Sequence, residues 1–320
     1  MTFPSTVIYF MLGLCIPGLS SASPTDITDA SIKGKLSIDA DNISGMVLTE
    51  HFMALATDEG TAIQILPRQG NQFMALPENR VVLTSANKEL DIEALAWQPP
   101  YLYAVGSHAK KRKKIKSEVS NKQNIKRLTR IYDEPARNQL FQIRLDKKLN
   151  VRQIKTLSLM PIIQNTPILT PFTALPGKEN GIDIEGMAVS GNHLYIGFRG
   201  PVLRGNLVPI LKLTLKDKKF AVQTPKLKLV NLGGLGIRDM VAVKDKIYLL
   251  SGPIHNIPNI YHIHAWNGKT QLTPLPHLKT LTQPAGKPEA LFVTRHHKSS
   301  KLRFWIGQDG LKNGGIESFD

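Results

Sequence analysis

The stretch Asp183-Ile184-Glu185-Gly186-Met187-Ala188 leads through a polar turn into His193-Leu194-Tyr195-Ile196-Gly197 and on to Phe198-Arg199-Gly200. A short apolar run, a turn and a second run of aromatic and aliphatic residues reads as a pair of antiparallel strands. Four other segments repeat it. Ile43-Ser44-Gly45-Met46-Val47 precedes Phe52-Met53-Ala54-Leu55-Ala56, and Asp91-Ile92-Glu93-Ala94-Leu95-Ala96 precedes Tyr101-Leu102-Tyr103-Ala104-Val105. Gly236-Ile237-Arg238-Asp239-Met240-Val241 precedes Lys246-Ile247-Tyr248-Leu249-Leu250, and Lys287-Pro288-Glu289-Ala290-Leu291-Phe292 precedes Leu302-Arg303-Phe304-Trp305-Ile306. From Ser44 to Glu93, Glu185, Asp239 and Glu289 the steps are 49, 92, 54 and 50 residues. A period near 50 with about four strands per unit is the signature of propeller blades.

The 92-residue step leaves two readings, a sixth blade or an insertion. The basic stretch 109–130 and the Pro-rich stretch 161–177 together account for the excess, which favours insertion. The expected fold is an all-β, five-bladed propeller over 30–320 as a single domain, with six blades as the alternative. The last unit has two strands before the end of the sequence, so its outer strands are expected from the N-terminal side, around Lys35-Leu36-Ser37-Ile38. No long amphipathic helix is evident.

Composition agrees with a folded chain. Of 320 residues, 42% are hydrophobic and 21% charged, which excludes wholesale disorder and collagen-like structure. Residues 1–22 carry no charged side chain, and an apolar run from Val7 to Ile16 is followed by Pro17, Gly18 and Ser20-Ser21-Ala22. This reads as a signal peptide, with an uncleaved apolar anchor as the alternative. The run is short of the roughly 20 residues a spanning helix needs. The one cysteine, Cys15, lies within it, so the mature chain has no disulfide and no thiolate chemistry. A periplasmic or secreted bacterial protein, monomeric and without a transmembrane segment in its mature part, is expected.

In a propeller the first strand of each blade lines the central channel, and the second returns beside it. The start of one and the end of the other therefore share a mouth. That places Glu93, Glu185, Asp239 and Glu289 there, with Asp58, Glu59, His108, Arg199 and Asp309 from the second-strand ends. Clustered carboxylates repel unless neutralised, and a hard cation such as calcium takes several oxygen ligands. The candidate metal ligands are Asp58, Glu59, Glu93, Glu185, Asp239, Glu289 and Asp309. The competing reading is structural: each acid bonds backbone amides or pairs with Arg199, Arg204 or Arg238. With a metal present, a bound water could attack an ester. His108 or Glu185 would then be the base, and Arg199, Arg204 and Arg238 would orient an anionic group. No G-x-S-x-G, H-E-x-x-H, Walker A or dinucleotide pattern occurs.

Between 110 and 130 stand ten basic residues and one acid, a large share of the net charge of +16. Anionic polymer or lipid would be attracted electrostatically. No aromatic residue interleaves the charges, so base stacking and a nucleic-acid role are not supported. The competing reading is a solvated loop beside the mouth.

These motifs resemble a bacterial family known only as domain of unknown function 3616. The resemblance rests on Leu90-Asp91-Ile92-Glu93-Ala94-Leu95-Ala96, Gly106-Ser107-His108 with Lys111-Arg112-Lys113-Lys114, and Asp183-Ile184-Glu185-Gly186-Met187. It extends through Gly200-Pro201-Val202-Leu203-Arg204-Gly205, Gly236-Ile237-Arg238-Asp239 and Lys287-Pro288-Glu289, and spans roughly residues 40–310. It implies no assigned activity. More distantly the D-I-E-G unit looks like that of esterase-like phytase propellers, which implies calcium-assisted phosphoester hydrolysis. Here Ala94 and Ala290 stand in place of the glycine, and Ser44 in place of the first acid. Three functions stay open: a module binding an anionic small molecule or polymer at the mouth, a metal-assisted hydrolase, and a scaffold.

Overall fold

The computed structural model describes residues 26–86, 88–216, 220–255, 260–269, 271–275, 286–296, 299 and 301–320, without the side chain of Thr224. The expected signal segment 1–22, with Cys15, lies outside them. Five small sheets stand in a ring as the blades of a propeller.

The first blade holds β1 (Ile32–Gly34), β2 (Ile43–Leu48), β3 (Phe52–Thr57), β4 (Ala62–Gln69), β5 (Gln72–Ala75) and β6 (Arg80–Val82). The second holds β7 (Ile92–Gln98) and β8 (Tyr101–Gly106), and is then interrupted by β9 (Lys111–Arg112), α1 (Asn121–Thr129) and β10 (Ile131–Tyr132). It resumes with β11 (Leu140–Leu145) and β12 (Val151–Leu157), and a short helix α2 (Met160–Gln164) follows. The third blade is β13 (Asp183–Ser190), β14 (His193–Gly200), β15 (Leu207–Leu215) and β16 (Val222–Asn231). The fourth is β17 (Gly236–Val243), β18 (Lys246–Gly252), β19 (His262–Trp266) and β20 (Leu272–Pro274). The fifth is β21 (Lys287–Arg295), β22 (Leu302–Asp309) and β23 (Glu317–Phe319). The long step in the repeat is thus insertion and not a sixth blade.

Successive side chains of a strand face opposite ways, and here both faces of a blade meet a neighbour. Phe52 and Ala54 of β3 pack toward the second blade, with Leu95, Leu102 and Phe141. Met53 and Leu55 of the same strand pack toward the fifth, with Ala290 and Trp305. Each of the remaining seams between blades has a buried cluster of its own. This is why the strands read as continuous apolar runs. The inner strands β2, β7, β13, β17 and β21 touch in that order, and β21 returns to β2.

Closure differs from the sequence expectation. The N-terminal β1 adds in parallel to β5 of the first blade. Lys35–Ile38 forms no outer strand of the fifth blade; Leu36 is instead buried in the seam between the first and fifth blades. The last blade completes itself, because the chain turns back after Asp309 and β23 pairs antiparallel with β22. The turn is tied to the first blade: Gly310 N donates to Asp41 O at 2.8 Å. Gly314, at φ +75°, lies against Ile43, whose atoms would be 3.2 Å from an added Cβ.

The inner strands approach most closely at Gly186, where an added Cβ would stand 2.7 Å from Ile237 Cγ2 and 2.8 Å from Met240 Cγ. A β-branched neighbour yields little, since its χ1 is stiff. Gly186→Ala is therefore expected to destabilise the fold by roughly 1–3 kcal/mol, measured as a lowered urea midpoint with an unchanged slope.

Candidate functional site

Every inner strand carries the same irregularity near its start. Ile92 pairs with Gly106 and Ala94 with Val105, so Glu93 is an extra residue in the ladder. By the same register shift Ser44, Glu185, Arg238 and Glu289 are extra residues in β2, β13, β17 and β21. A bulge re-aims its residue out of the strand's alternation. One residue per blade is thereby set at the same level of the inner strands. In the fourth blade the ring residue is Arg238, not Asp239 as the motif spacing suggested. A further bulge in β14 leaves Arg199 unpaired in the ladder, between the Asp183–Gly200 and Ile184–Phe198 pairs.

These residues form a buried chain of alternating charge. Arg199 donates through Nη2 to Asp183 Oδ2, and its Nη1 lies 2.6 Å from Glu185 Oε1. Arg238 Nη1 lies 2.9 Å from Glu185 Oε2, and its Nη2 donates to Glu289 Oε1. Burial works against the charge of both guanidiniums, but the surrounding carboxylates outweigh it and hold them protonated. Burial pushes the Glu185 carboxyl up, and Arg199 and Arg238, 2.6 and 2.9 Å away, pull it back toward the charged form. A second group flanks the chain. Arg137 Nη1 lies 2.8 Å from Asp91 Oδ2, Arg137 also pairs with Glu89, and Ser107 Oγ donates to Asp91. Burial lifts Asp91 to about 6 against Arg137 and that hydroxyl.

Two acids lack any such cation among the described residues. Glu93 is 9% exposed and has no hydrogen bond or ion pair to any described residue. Burial, then the charges of Asp91, Glu185, Glu289 and Asp183, push its carboxyl well above the usual range. Asp58 Oδ1 is buried without a partner. Burial, then Asp91, Glu289, Asp309 and Glu59, raise that carboxyl to about 7.

The other residues singled out in the sequence fall elsewhere. Asp239 is fully buried and accepts from Met240 N and, across the seam, from Leu291 N, both at 2.7 Å. It also accepts from the amide of Met187, so one carboxylate ties three blades together. His108 has both ring nitrogens committed: Nδ1 to Gly106 O at 2.8 Å, and Nε2 accepting from Leu159 N at 3.1 Å. Burial, opposed by the Gly106 carbonyl, lowers it to about 4, so it is neutral and has no free nitrogen with which to take a proton. Ser44 Oγ donates to Ile92 O across the first seam. Asp309 pairs with Lys287 at 2.9 Å, while Glu59 and Arg204 are exposed and join none of these contacts. Asp91 and Asp183 were not singled out, although the repeated D-I-E triplet displays both. Nothing local in the sequence marks Arg137.

Four of the seven candidate metal ligands already have partners. Glu185 and Glu289 are held by guanidiniums, Asp239 by amides and Asp309 by a lysine. Among the described residues no group of three or more His, Cys, Asp or Glu is disposed to hold a metal ion.

Fold and site define a five-bladed propeller whose channel carries an arginine–carboxylate network at one mouth. The chain belongs to the family described as "Protein of unknown function (DUF3616)", which matches residues 42–284. No curated protein matches its sequence. Among solved structures it is similar to an exo-β-1,3-galactanase from Clostridium thermocellum, with a TM-score of 0.50 and 10% identity. That similarity covers 89% of this chain and 60% of the galactanase, so the chain spans well under two thirds of it. Weaker similarities reach Kuenenia stuttgartiensis hydrazine synthase (TM-score 0.38, 11% identity, 86% of this chain and 79% of that one). They also reach the WD40 domain of Toxoplasma gondii coronin (TM-score 0.37, 9% identity, 87% and 58%). At these identities the likeness is one of fold alone.

Two outcomes follow. Asp58 and Glu93 keep protons in the folded chain that the unfolded chain releases near pH 4. Stability should therefore fall as pH rises from about 4 to 7 and beyond. Melting temperature is expected on the order of 5 °C higher at pH 5 than at pH 8, and Glu93→Gln should shrink that difference. Asp239→Ala strands buried amides in three blades and should cost roughly 3 kcal/mol or more at every pH, read by denaturant unfolding.

Proposed function

We propose that the protein is an exported binding module that takes a hydrogen-bond-donating small molecule, an amine or a polyol, at the charged channel mouth. One observation carries this reading: Asp58 Oδ1 is buried without a partner and Glu93 has no hydrogen bond or ion pair to any described residue, while the carboxylates around Glu93 are matched to arginines. Leaving a buried carboxyl unsatisfied costs stability, and a donor from a ligand would recover that loss. An amine would also lower the carboxyl's pKa on binding. Arg199 and Arg238 already hold two carboxylates each, which leaves an anionic ligand only their unpartnered Nε donors. A structural calcium ion is disfavoured by the engaged donors.

A second reading has one observation of its own. A buried carboxyl kept protonated beside ion-paired carboxylates has the character of a general acid. Hydrolysis would then run on Glu93 and a neighbouring carboxylate, with no step through a metal. The galactanase named above shares the fold, and at 10% identity it gives no substrate.

Calorimetric titration with polyamines, neutral sugars and calcium separates these readings. Binding of an amine or sugar that Glu93→Gln weakens at least tenfold, and Arg204→Ala leaves unchanged, is expected. A melting temperature that falls with chelator and recovers with calcium would instead restore a resident metal. Turnover of phosphate esters, carboxylic esters or glycosides, lost in Glu93→Gln with the fold intact, would establish the hydrolase.

A further inference from the structure

The two insertions leave and return at the mouth end of the second and third blades, and they are fastened to each other. Lys110 bridges to Pro176, and Gly177 N donates to Lys110 O at 3.0 Å. Arg112 grips Glu179 with Nε at 2.5 Å and Nη2 at 3.0 Å, and also donates to Leu128 O at the end of α1. The helix starts on a capping box, with Ser120 and Gln123 satisfying each other's amides. Its inner side is pinned: Asn124 exchanges bonds with Lys116 N and O at 2.9 and 2.8 Å, and Arg127 Nη2 reaches Lys114 O at 3.1 Å. The expected solvated loop is a built platform.

What the platform shows to solvent is specific. Lys122, Ile125, Lys126 and Thr129 recur at helical spacing and are all exposed. Ile125 is 59% exposed, and Ile115, between the clamped backbones of Lys114 and Lys116, is 67% exposed. On the adjoining insertion Ile168 and Leu175 are also exposed. Of the basic residues here, Lys113, Lys114, Lys122, Lys126, Arg127 and Arg130 have no carboxylate within ion-pairing distance among the described residues. Isoleucines held outward by a pinned backbone, ringed by unpaired cations, match a surface that is anionic at its face and apolar just beneath. Tyr132, the nearest aromatic ring, is engaged by Arg130 at 4.7 Å and Lys113 at 5.3 Å from its centre.

We infer that this platform docks on an anionic lipid bilayer, with Lys122, Lys126 and their basic neighbours at the headgroups and Ile115 and Ile125 inserted below them. Paired basic and apolar side chains are what interfacial anchoring requires. The platform stands on insertions that leave the blades at the mouth end. The inference is independent of the ligand proposed for that mouth.

The test is flotation of the full chain with vesicles of phosphatidylcholine alone or with about one third phosphatidylglycerol, at low and physiological salt. Variants share residues 1–25 with the parent, so the difference between them reads the platform. The parent is expected to prefer the anionic vesicles at least tenfold. Lys122→Glu/Lys126→Glu should abolish the preference, and Ile115→Ser/Ile125→Ser should weaken anionic-vesicle binding about tenfold while leaving retention on heparin unchanged. All four positions are exposed, and unchanged melting curves would confirm that the variants fold. Equal binding to both vesicle types would overturn the inference. So would full vesicle binding by the isoleucine variant, which would mark the platform as a generic polyanion site for heparin or nucleic acid.

Discussion

A bulge at the same place in all five inner strands governs the centre of this molecule. A regular ladder would send every second side chain into the seams between blades, where the apolar clusters sit. The extra residue breaks that alternation once per blade; in four blades it gives a charged side chain to the network, and in the first it is Ser44, bonded across the seam to Ile92 O. Four of the charged groups at the mouth depend on the bulge: Glu93, Glu185, Arg238 and Glu289 would otherwise face an apolar seam. The channel level of the bulges holds charge, and the stretch below it is apolar, lined by Leu95, Met187, Met240 and Phe292.

Burying so many charges is costly, and the network offsets the cost by alternation. Arg199 sits between Asp183 and Glu185, and Arg238 between Glu185 and Glu289, so each guanidinium serves two blades or two strands at once. Such a network stabilises only when fully satisfied. The ion-paired part joins the third, fourth and fifth blades, although Nε of Arg199 and of Arg238 is buried there without a partner. The unpaired part, Glu93 with Asp58, belongs to the second and first. That asymmetry separates a structural half of the mouth from a half with capacity left for a ligand. Asp239 belongs wholly to the structural half, as its three amide partners show.

The insertions add a second asymmetry on the same face. They rise from the second and third blades beside the unsatisfied acids, so a cationic platform stands next to an acidic opening. With a net charge of +16 on the chain, the acidic mouth is a local exception that its own arginines make tolerable. Two surfaces of opposite sign on one face can engage two different things at once.

The sequence by itself determined the repeat and the inner strands, because apolar runs buried on both faces leave a pattern that needs no partner to be visible; five blades against six was decided by the closed ring. It also set the level of the site, since the residue at each bulge stands at a fixed place in the repeat. It did not determine which member of Arg238-Asp239 enters the channel, because a one-residue register shift reverses every side chain and only the paired strand fixes the shift. The repeated acid at Asp239 looked equivalent to Glu93 and is instead a stitch through three blades. His108 looked like a base until Gly106 and Leu159 occupied its nitrogens. Arg137, far from Asp91 in sequence, was invisible for the same reason. A charge's role is set by what surrounds it, and only the closed ring decides that.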